Sequence, residues 1–360
     1  MKLSALLVNY HSAELLAGAV ASILAQDLPT APEVIVVDNS ESETEFAHLR
    51  SLLDARVTLI RNPANTGFAA ACNTALGHAA GDAILLLNPD ARLKAEALSA
   101  LAHGLDANPR AGAVGPLTFW DEAGSFMLPP STFPSLANHL RRAIAHLHPR
   151  LRLRHSIAFR RRALALWTAR KPVRVQALSG GHVLLRRSAL ERADGLFDED
   201  FFMYWEDSDL MQRLQRAGYN LYVLPDAHAV HHYDHHPGKD ALMARGWPAY
   251  HARHIAGHWQ AWLSARLERR AHPFWPQAPE LAVQAGQPIR LEVPPELQSG
   301  WLLEVSPAAD FVPAMGRLGT GACAEIPAEC WQRFTGARYH IRLAAADPRL
   351  RHARCWSWQG

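Results

Sequence analysis

Cysteine is scarce in this 360-residue chain: Cys72, Cys323, Cys330 and Cys355 form no CxxC pair and no metal-ligand spacing. That scarcity excludes a disulfide framework and a zinc-ribbon site, and it fits a reducing compartment with structural thiols. Long apolar runs are missing too: none reaches the roughly 18 residues a membrane span requires. The N-terminal run 3–8 breaks at Asn9-Tyr10-His11, too short for a signal peptide. A soluble or peripheral protein of the cytoplasm is the expectation. No GxGxxG follows the first apolar run and no Walker A motif occurs, which argues against a dinucleotide-binding dehydrogenase and a P-loop NTPase. Any phosphate must be held another way.

Acidic residues vanish between Glu122 and Glu191, while Arg141, Arg142, Arg150, Arg152, Arg154, Arg160, Arg161, Arg162, Arg170, Lys171 and Arg174 crowd into that interval. The net charge is only +3, so the asymmetry matters more than the total. Something anionic is expected beside this stretch. Arginines interleaved with Ile144, Leu147, Leu151, Leu153, Ile157, Phe159, Leu164 and Trp167 suit a helix lying on an anionic membrane, with Arg160, Arg161 and Arg162 among the contacts. A solvated helix pair packed on the catalytic domain accounts for the composition equally well. Nucleic acid is not an expected partner, since no recognition motif accompanies the charge.

The hydrophobic content of 49% is enough for a full core, and the length suggests two domains. Over the first 115 residues, short apolar strands alternate with amphipathic helices: strands at 3–8, 33–37, 57–61 and 83–87, helices at about 12–25, 43–53 and 68–79. This βαβα rhythm predicts an α/β fold, a mostly parallel sheet with helices on both faces. Ligands of such sheets bind beyond the carboxyl ends of the strands, here Asn9-Tyr10, Asp38-Asn39, Asn62-Pro63 and Asn88-Pro89-Asp90. Further on, residues 178–185 and 219–224 read as strands and about 242–269 as a helical region. From residue 281 short alternating runs separated by Pro and Gly indicate a small all-β part.

The stretch Phe202-Met203-Tyr204-Trp205-Glu206-Asp207-Ser208-Asp209 packs three carboxylates beside aromatic rings at the start of a predicted helix. Glu206, Asp209 and Arg213 share one face, whereas Asp207 points about 100° away. Glu206 and Asp209 can serve the free N–H groups and the dipole of the first turn. Asp207 lies off that face, and desolvation by Tyr204 and Trp205 would raise its pKa, as a general base requires.

Val8-Asn9-Tyr10, Val37-Asp38-Asn39-Ser40, Asn65-Thr66-Gly67-Phe68-Ala69 with Asn73, Leu87-Asn88-Pro89-Asp90 and Trp205-Glu206-Asp207 together resemble the family 2 inverting glycosyltransferases, in particular their rhamnosyltransferase-like branch. The resemblance spans about residues 1–260. It implies a GT-A fold, a nucleotide-sugar donor carrying dTDP or UDP, a glycan or lipid-linked glycan acceptor, and a role in cell-surface polysaccharide synthesis. It also implies Asp207 as catalytic base, donor contacts from Asn9, Asp38, Asn65, Gly67, Asn73 and Asn88, and Mg²⁺ or Mn²⁺ held by Asp90. Asn88 stands where the family's DXD motif has its first carboxylate. A hard cation can take its remaining oxygens from diphosphate and water.

Asp38 can accept the imide N–H of uracil or thymine, or simply close a turn before Asn39. The glycine at 67 would let a ligand approach the helix that follows. Among 20 histidines, His231 is the expected imidazole ligand of the cation, with His228 and His232 as rivals; imidazole suits Mn²⁺ better than Mg²⁺. The expected division is a catalytic domain over 1–272, with a basic helical insertion at about 135–175, and a β-rich accessory domain over 273–360. The chain is expected in the cytoplasm, peripheral on the inner face of the plasma membrane; the competing readings are a nucleotide-sugar or glycan-binding protein without turnover, and a membrane-associated scaffold in which the Arg-rich segment is the function.

Overall fold

The computed structural model describes residues 1–232, 238–271, 278–282, 287–331 and 338–359, and these form two compact units. The first comprises residues 1–118, 131–133 and 169–253; the second comprises 119–130, 134–168 and 254–360. Residues 135–168 of the basic stretch expected as an insertion into the catalytic domain group with the β-rich part, and 169–175 with the first unit. The expected boundary at 272/273 lies outside the described residues.

In chain order the elements of the first half are β1 (Leu3–Asn9), α1 (Ala13–Leu24), β2 (Glu33–Asp38), α2 (Glu43–Leu52), β3 (Thr58–Arg61), α3 (Phe68–His78), β4 (Ala83–Leu87), β5 (Ala91–Leu93), α4 (Ala97–Asp106) and β6 (Ala111–Phe119). There follow α5 (Leu136–Ala145), α6 (Pro149–Trp167), β7 (Val173–Val175), β8 (His182–Arg186), α7 (Arg187–Arg192), α8 (Glu206–Arg216), β9 (Asn220–His231), α9 (Lys239–His254) and α10 (Trp259–Glu268). The sheet of the first unit runs β3-β2-β1-β4-β8-β6-β9-β5, with β7 also on β9. Its β3-β2-β1-β4 portion is parallel, and β8 joins β4 in the antiparallel sense. Strands β1 and β4 are buried at every position, which is why they read as unbroken apolar runs. A polar residue at every second position is absent there because neither face meets water. Leu16, Val20 and Ile23 of α1 and Leu98, Leu101 and Leu105 of α4 join Leu7, Val36 and Leu85 in one cluster.

The helical region expected over 242–269 is two helices, broken at Gly257, whose φ of +79° a side-chain-bearing residue rarely adopts. In the second unit β10 (Ile289–Glu292) pairs with β13 (Cys323–Ile326), and β12 (Met315–Gly319), β11 (Trp301–Ser306), β14 (Arg338–Ala345) and β15 (Arg354–Gln359) make an antiparallel sheet in that order. Their inward side chains, Leu291, Leu303, Ile341 and Trp358 among them, close on Trp120 and Phe126 of the 119–130 segment.

Arg160 departs from the membrane-facing expectation. It is fully buried and forms an ion pair with Glu304, whose carboxylate also takes Arg342 Nε at 2.7 Å and Nη2 at 2.8 Å. Arg160 also donates to the carbonyls of Ala345 and Asp347. Two guanidinium groups around one carboxylate, with the remaining N–H groups on carbonyls and Ser156, satisfy a charge that burial would otherwise forbid. Arg161 and Arg162 are exposed.

Candidate active site

Parallel pairing puts Asn9 beside Asp38 at the ends of β1 and β2. The Asn9 amide donates to Asp38 Oδ1 at 2.7 Å, and the Ser40 hydroxyl donates to Oδ2 at 2.9 Å, so the buried carboxylate is held from both sides. Asn39 extends the network: its amide donates to Asn65 Oδ1 at 2.9 Å, and its own Oδ1 accepts from Asn62 at 2.9 Å. Asn65 Oδ1 also accepts the Gly67 N–H at 3.1 Å.

Gly67 does permit a close approach, but the approaching group is protein. A Cβ there would stand 2.4 Å from the Phe202 carbonyl, and that carbonyl accepts the Phe68 N–H at 2.7 Å. The start of α3 therefore fixes the 202–205 loop. Asn73 acts on the same neighbourhood: its amide donates to Phe197 O at 2.9 Å and its Oδ1 accepts Phe197 N–H at 3.2 Å. Both residues fasten the segment leading to Asp207.

Asp90 and His231 meet because β5 and β9 pair with Ala91 opposite His231. His231 Nε2 lies 3.1 Å from Asp90 Oδ1, with the imidazole almost fully buried and the carboxylate partly open. His228 is exposed, and His232 meets Asp90 through its backbone N–H at 3.3 Å. Asn88 stands beside them, its backbone N–H donating to Gly181 O at 2.8 Å. Among the described residues no three His, Cys, Asp or Glu side chains cluster as a metal cage. One carboxylate and one imidazole nevertheless match the donor set of a cation that completes its shell with diphosphate oxygens.

Asp207 lies in the first turn of α8. Its carboxylate accepts N–H from Ser208 at 2.6 Å and from Gly180 at 3.3 Å, and the Ser208 hydroxyl at 3.2 Å. Burial pushes its pKa up against these three donors. Glu206, more deeply buried than Asp207, is pushed up to about 8, first by desolvation and then by the charge of Asp207. Among the described residues its Oε2 meets no hydrogen-bond partner. Asp209 is committed elsewhere, pairing with Arg213 Nε at 2.6 Å, and Arg213 in turn holds the carbonyls of Ala193, Gly195 and Leu196.

The approach to α8 is strained: Tyr204 and Trp205 have φ of 68° and 75°. Left-handed backbone costs about 1–2 kcal/mol per such residue, and aromatic packing offsets it. The Trp205 indole donates to Met243 O at 2.7 Å and packs on Trp247 and Tyr250, 5.1 and 5.3 Å away. Sequence reasoning missed the pair of glycines that joins the two halves of the site. A Cβ on Gly180 would touch Asp207 Cβ at 3.0 Å, and one on Gly181 would meet Asn88 Nδ2 at 2.6 Å and His231 Cε1 at 3.0 Å. The doublet before β8 was the available signal.

Strand-end amides, a carboxylate–imidazole pair and a desolvated acid are the polar groups this fold gathers, and the relationships of the chain give its class. It belongs to glycosyl transferase family 2, whose sequence profile matches residues 4–167. Over 259 residues it is 32% identical to the N-acetylglucosaminyl-diphospho-decaprenol L-rhamnosyltransferase of Mycobacterium tuberculosis, which covers 68% of this chain and 77% of that one. The Escherichia coli rhamnosyltransferase WbbL is 44% identical over 61 residues, 17% of this chain and 22% of its own. Among solved structures, the mannosyltransferase PcManGT from Pyrobaculum calidifontis, in complex with GDP-Man and Mn²⁺, is 20% identical, covers 74% of this chain and 73% of its own, and superposes with a TM-score of 0.46. The rhamnosyltransferase-like resemblance read from the five motifs therefore stands.

Proposed function

We propose that the chain is an inverting, metal-dependent glycosyltransferase that moves a hexose, with rhamnose the first candidate, from a dTDP or UDP donor to a lipid-linked glycan in cell-envelope polysaccharide synthesis. The observation that carries this reading is the Gly180-Gly181 junction, which brings the basic carboxylate Asp207 against one glycine and the Asn88–His231 pair against the next. The lipid-linked acceptor follows the activity for which the mycobacterial relative is named.

Asp207 takes the proton from the acceptor hydroxyl as the oxygen attacks the anomeric carbon from the face opposite the diphosphate, and the configuration inverts. Its raised pKa makes it a stronger base than a solvated aspartate while Ser208 and Gly180 keep it oriented. Asp90 and His231 would hold Mn²⁺ or Mg²⁺, which supplies charge stabilisation to the departing diphosphate. Asp38, steadied by Asn9, receives the pyrimidine imide in place of the Ser40 hydroxyl.

Sugar transfer resides in the first unit, and the β-rich part beyond residue 273 is accessory. No helix among the described residues is long and apolar enough to cross a membrane; we assign the chain to the cytoplasm, touching the anionic inner face of the plasma membrane through the exposed arginines of 141–174. The test is transfer from dTDP-rhamnose and UDP-sugars to a prenyl-diphosphate-linked sugar with and without Mn²⁺. Release of nucleoside diphosphate only when acceptor and metal are both present supports the reading; none with any donor refutes it.

A further inference from the structure

Helix α10 carries a surface that the sugar-transfer chemistry leaves unused. Of the large apolar side chains exposed among the described residues, the two most exposed are Trp259 and Trp262, at 66% and 65%. They lie three residues apart on a helix whose buried face is marked by Ser264. At 100° per residue, Trp259, Trp262 and Arg266 all fall within about 40° of the direction opposite Ser264, and the exposed Arg269 and Arg270 follow in the turn that closes the helix. The outward stripe is thus aromatic in its first half and cationic in its second. Arg266 stacks over the Trp262 ring at 5.6 Å, which joins the halves. Glu268, on the inner side, is paired with Arg142 of the neighbouring α5 at 3.4 Å, so the acid does not interrupt the stripe. Exposed Ile144 and Arg141 on α5 repeat the same mixture.

Tryptophan beside arginine is the composition of a bilayer interface: the ring buries its apolar body among headgroups and keeps its N–H wet, while guanidinium groups meet lipid phosphates. We propose that α10, supported by α5, is a monotopic anchor that seats the protein on an anionic lipid surface, with Trp259 and Trp262 inserted at headgroup depth. The proposal rests on the lipid-linked acceptor and sharpens the membrane contact: insertion occurs at α10 with Arg141 and Ile144 of α5 beside it, and the exposed arginines beyond α5 contribute only long-range attraction.

The experiment is cosedimentation of the full chain with phosphatidylglycerol and with phosphatidylcholine vesicles at low salt, comparing wild type, W259S/W262S and R266E/R269E/R270E. Wild type should bind phosphatidylglycerol and have its tryptophan fluorescence quenched by brominated lipid. The tryptophan pair should bind at least about tenfold more weakly and lose that quenching, and the charge reversal should weaken binding on the order of a hundredfold. Because the substituted side chains face water, thermal midpoints should not move. Wild type that stays in the supernatant overturns the proposal, as does wild-type-like binding by W259S/W262S. A concentration-dependent dimer abolished by W259S/W262S, with no vesicle binding, would make the stripe a self-association face and also overturns it. Transfer to a soluble acceptor analogue separates the two readings: its absence with vesicle binding intact strikes the sugar-transfer reading alone.

Discussion

Replacing Glu206 with Gln should stabilise the protein at alkaline pH and leave it unchanged in acid. Glu206 is buried, its Oε2 meets no partner among the described residues, and its carboxyl is pushed from 4.5 to about 8 by desolvation and by Asp207. Below 4.5 both folded and unfolded chains carry the proton, so ionisation costs nothing. Between 4.5 and 8 only the folded state keeps it; unfolding then releases a proton, and stability falls as pH rises. Above 8 the loss is complete. Each pH unit in that span is worth about 1.4 kcal/mol, so the whole span is on the order of 5 kcal/mol, an upper bound because relaxation and water entry reduce it. Gln reproduces the shape of the protonated acid and cannot ionise. Urea unfolding of both proteins from about pH 5 to about pH 8.5 should show curves that coincide in acid and diverge steadily, with E206Q the more stable. Parallel curves across that range would refute the claim that Glu206 is held protonated.

Asp207→Asn keeps shape and hydrogen bonding but removes the base, so transfer should fall by roughly 10²–10⁴-fold with donor affinity little changed; near-normal turnover would remove Asp207 from the mechanism. Asp90→Ala and His231→Ala should each abolish the Mn²⁺-dependent part of nucleoside diphosphate binding in calorimetry, whereas unchanged metal-assisted affinity would move the cation elsewhere. Glu304→Ala strands Arg160 and Arg342 in the interior and should cost about 3–5 kcal/mol of stability, against about 0.5 kcal/mol or less for R161E/R162E on the exposed side. Equal losses would contradict the burial of Arg160.

The sheet was readable because burial on both faces writes itself as continuous apolar runs, and β1, β2 and β4 fall within a residue or so of the expected 3–8, 33–37 and 83–87. The raised pKa of Asp207 was readable too, since aromatic neighbours and carboxylates adjoin it in the chain. The meeting of Asp90 with His231, 141 positions apart, was expected from the family resemblance alone. No local pattern announces it, because it depends on the register of β5, a three-residue strand, against β9. The burial of Arg160 was hidden for the same reason: its counter-charge, Glu304, is 144 residues distant, and an arginine among arginines looks solvated until its partner is placed. At Gly67 the need for a small residue was legible, while the Phe202 carbonyl that approaches it was not.

The cluster of Arg160, Glu304 and Arg342 bears on how this protein can be cut or recombined. A chain ending near residue 272 would keep α6 but lose Glu304 and the carbonyls of Ala345 and Asp347, leaving the buried Arg160 without its counter-charge. The reverse graft, the β-rich part without residues 119–168, would keep the carboxylate and lose Arg160 together with Trp120 and Phe126, which fill its core. Segments separated by more than a hundred residues therefore behave as one heritable piece, and chimaeras with other sugar transferases should exchange them together or fail to fold.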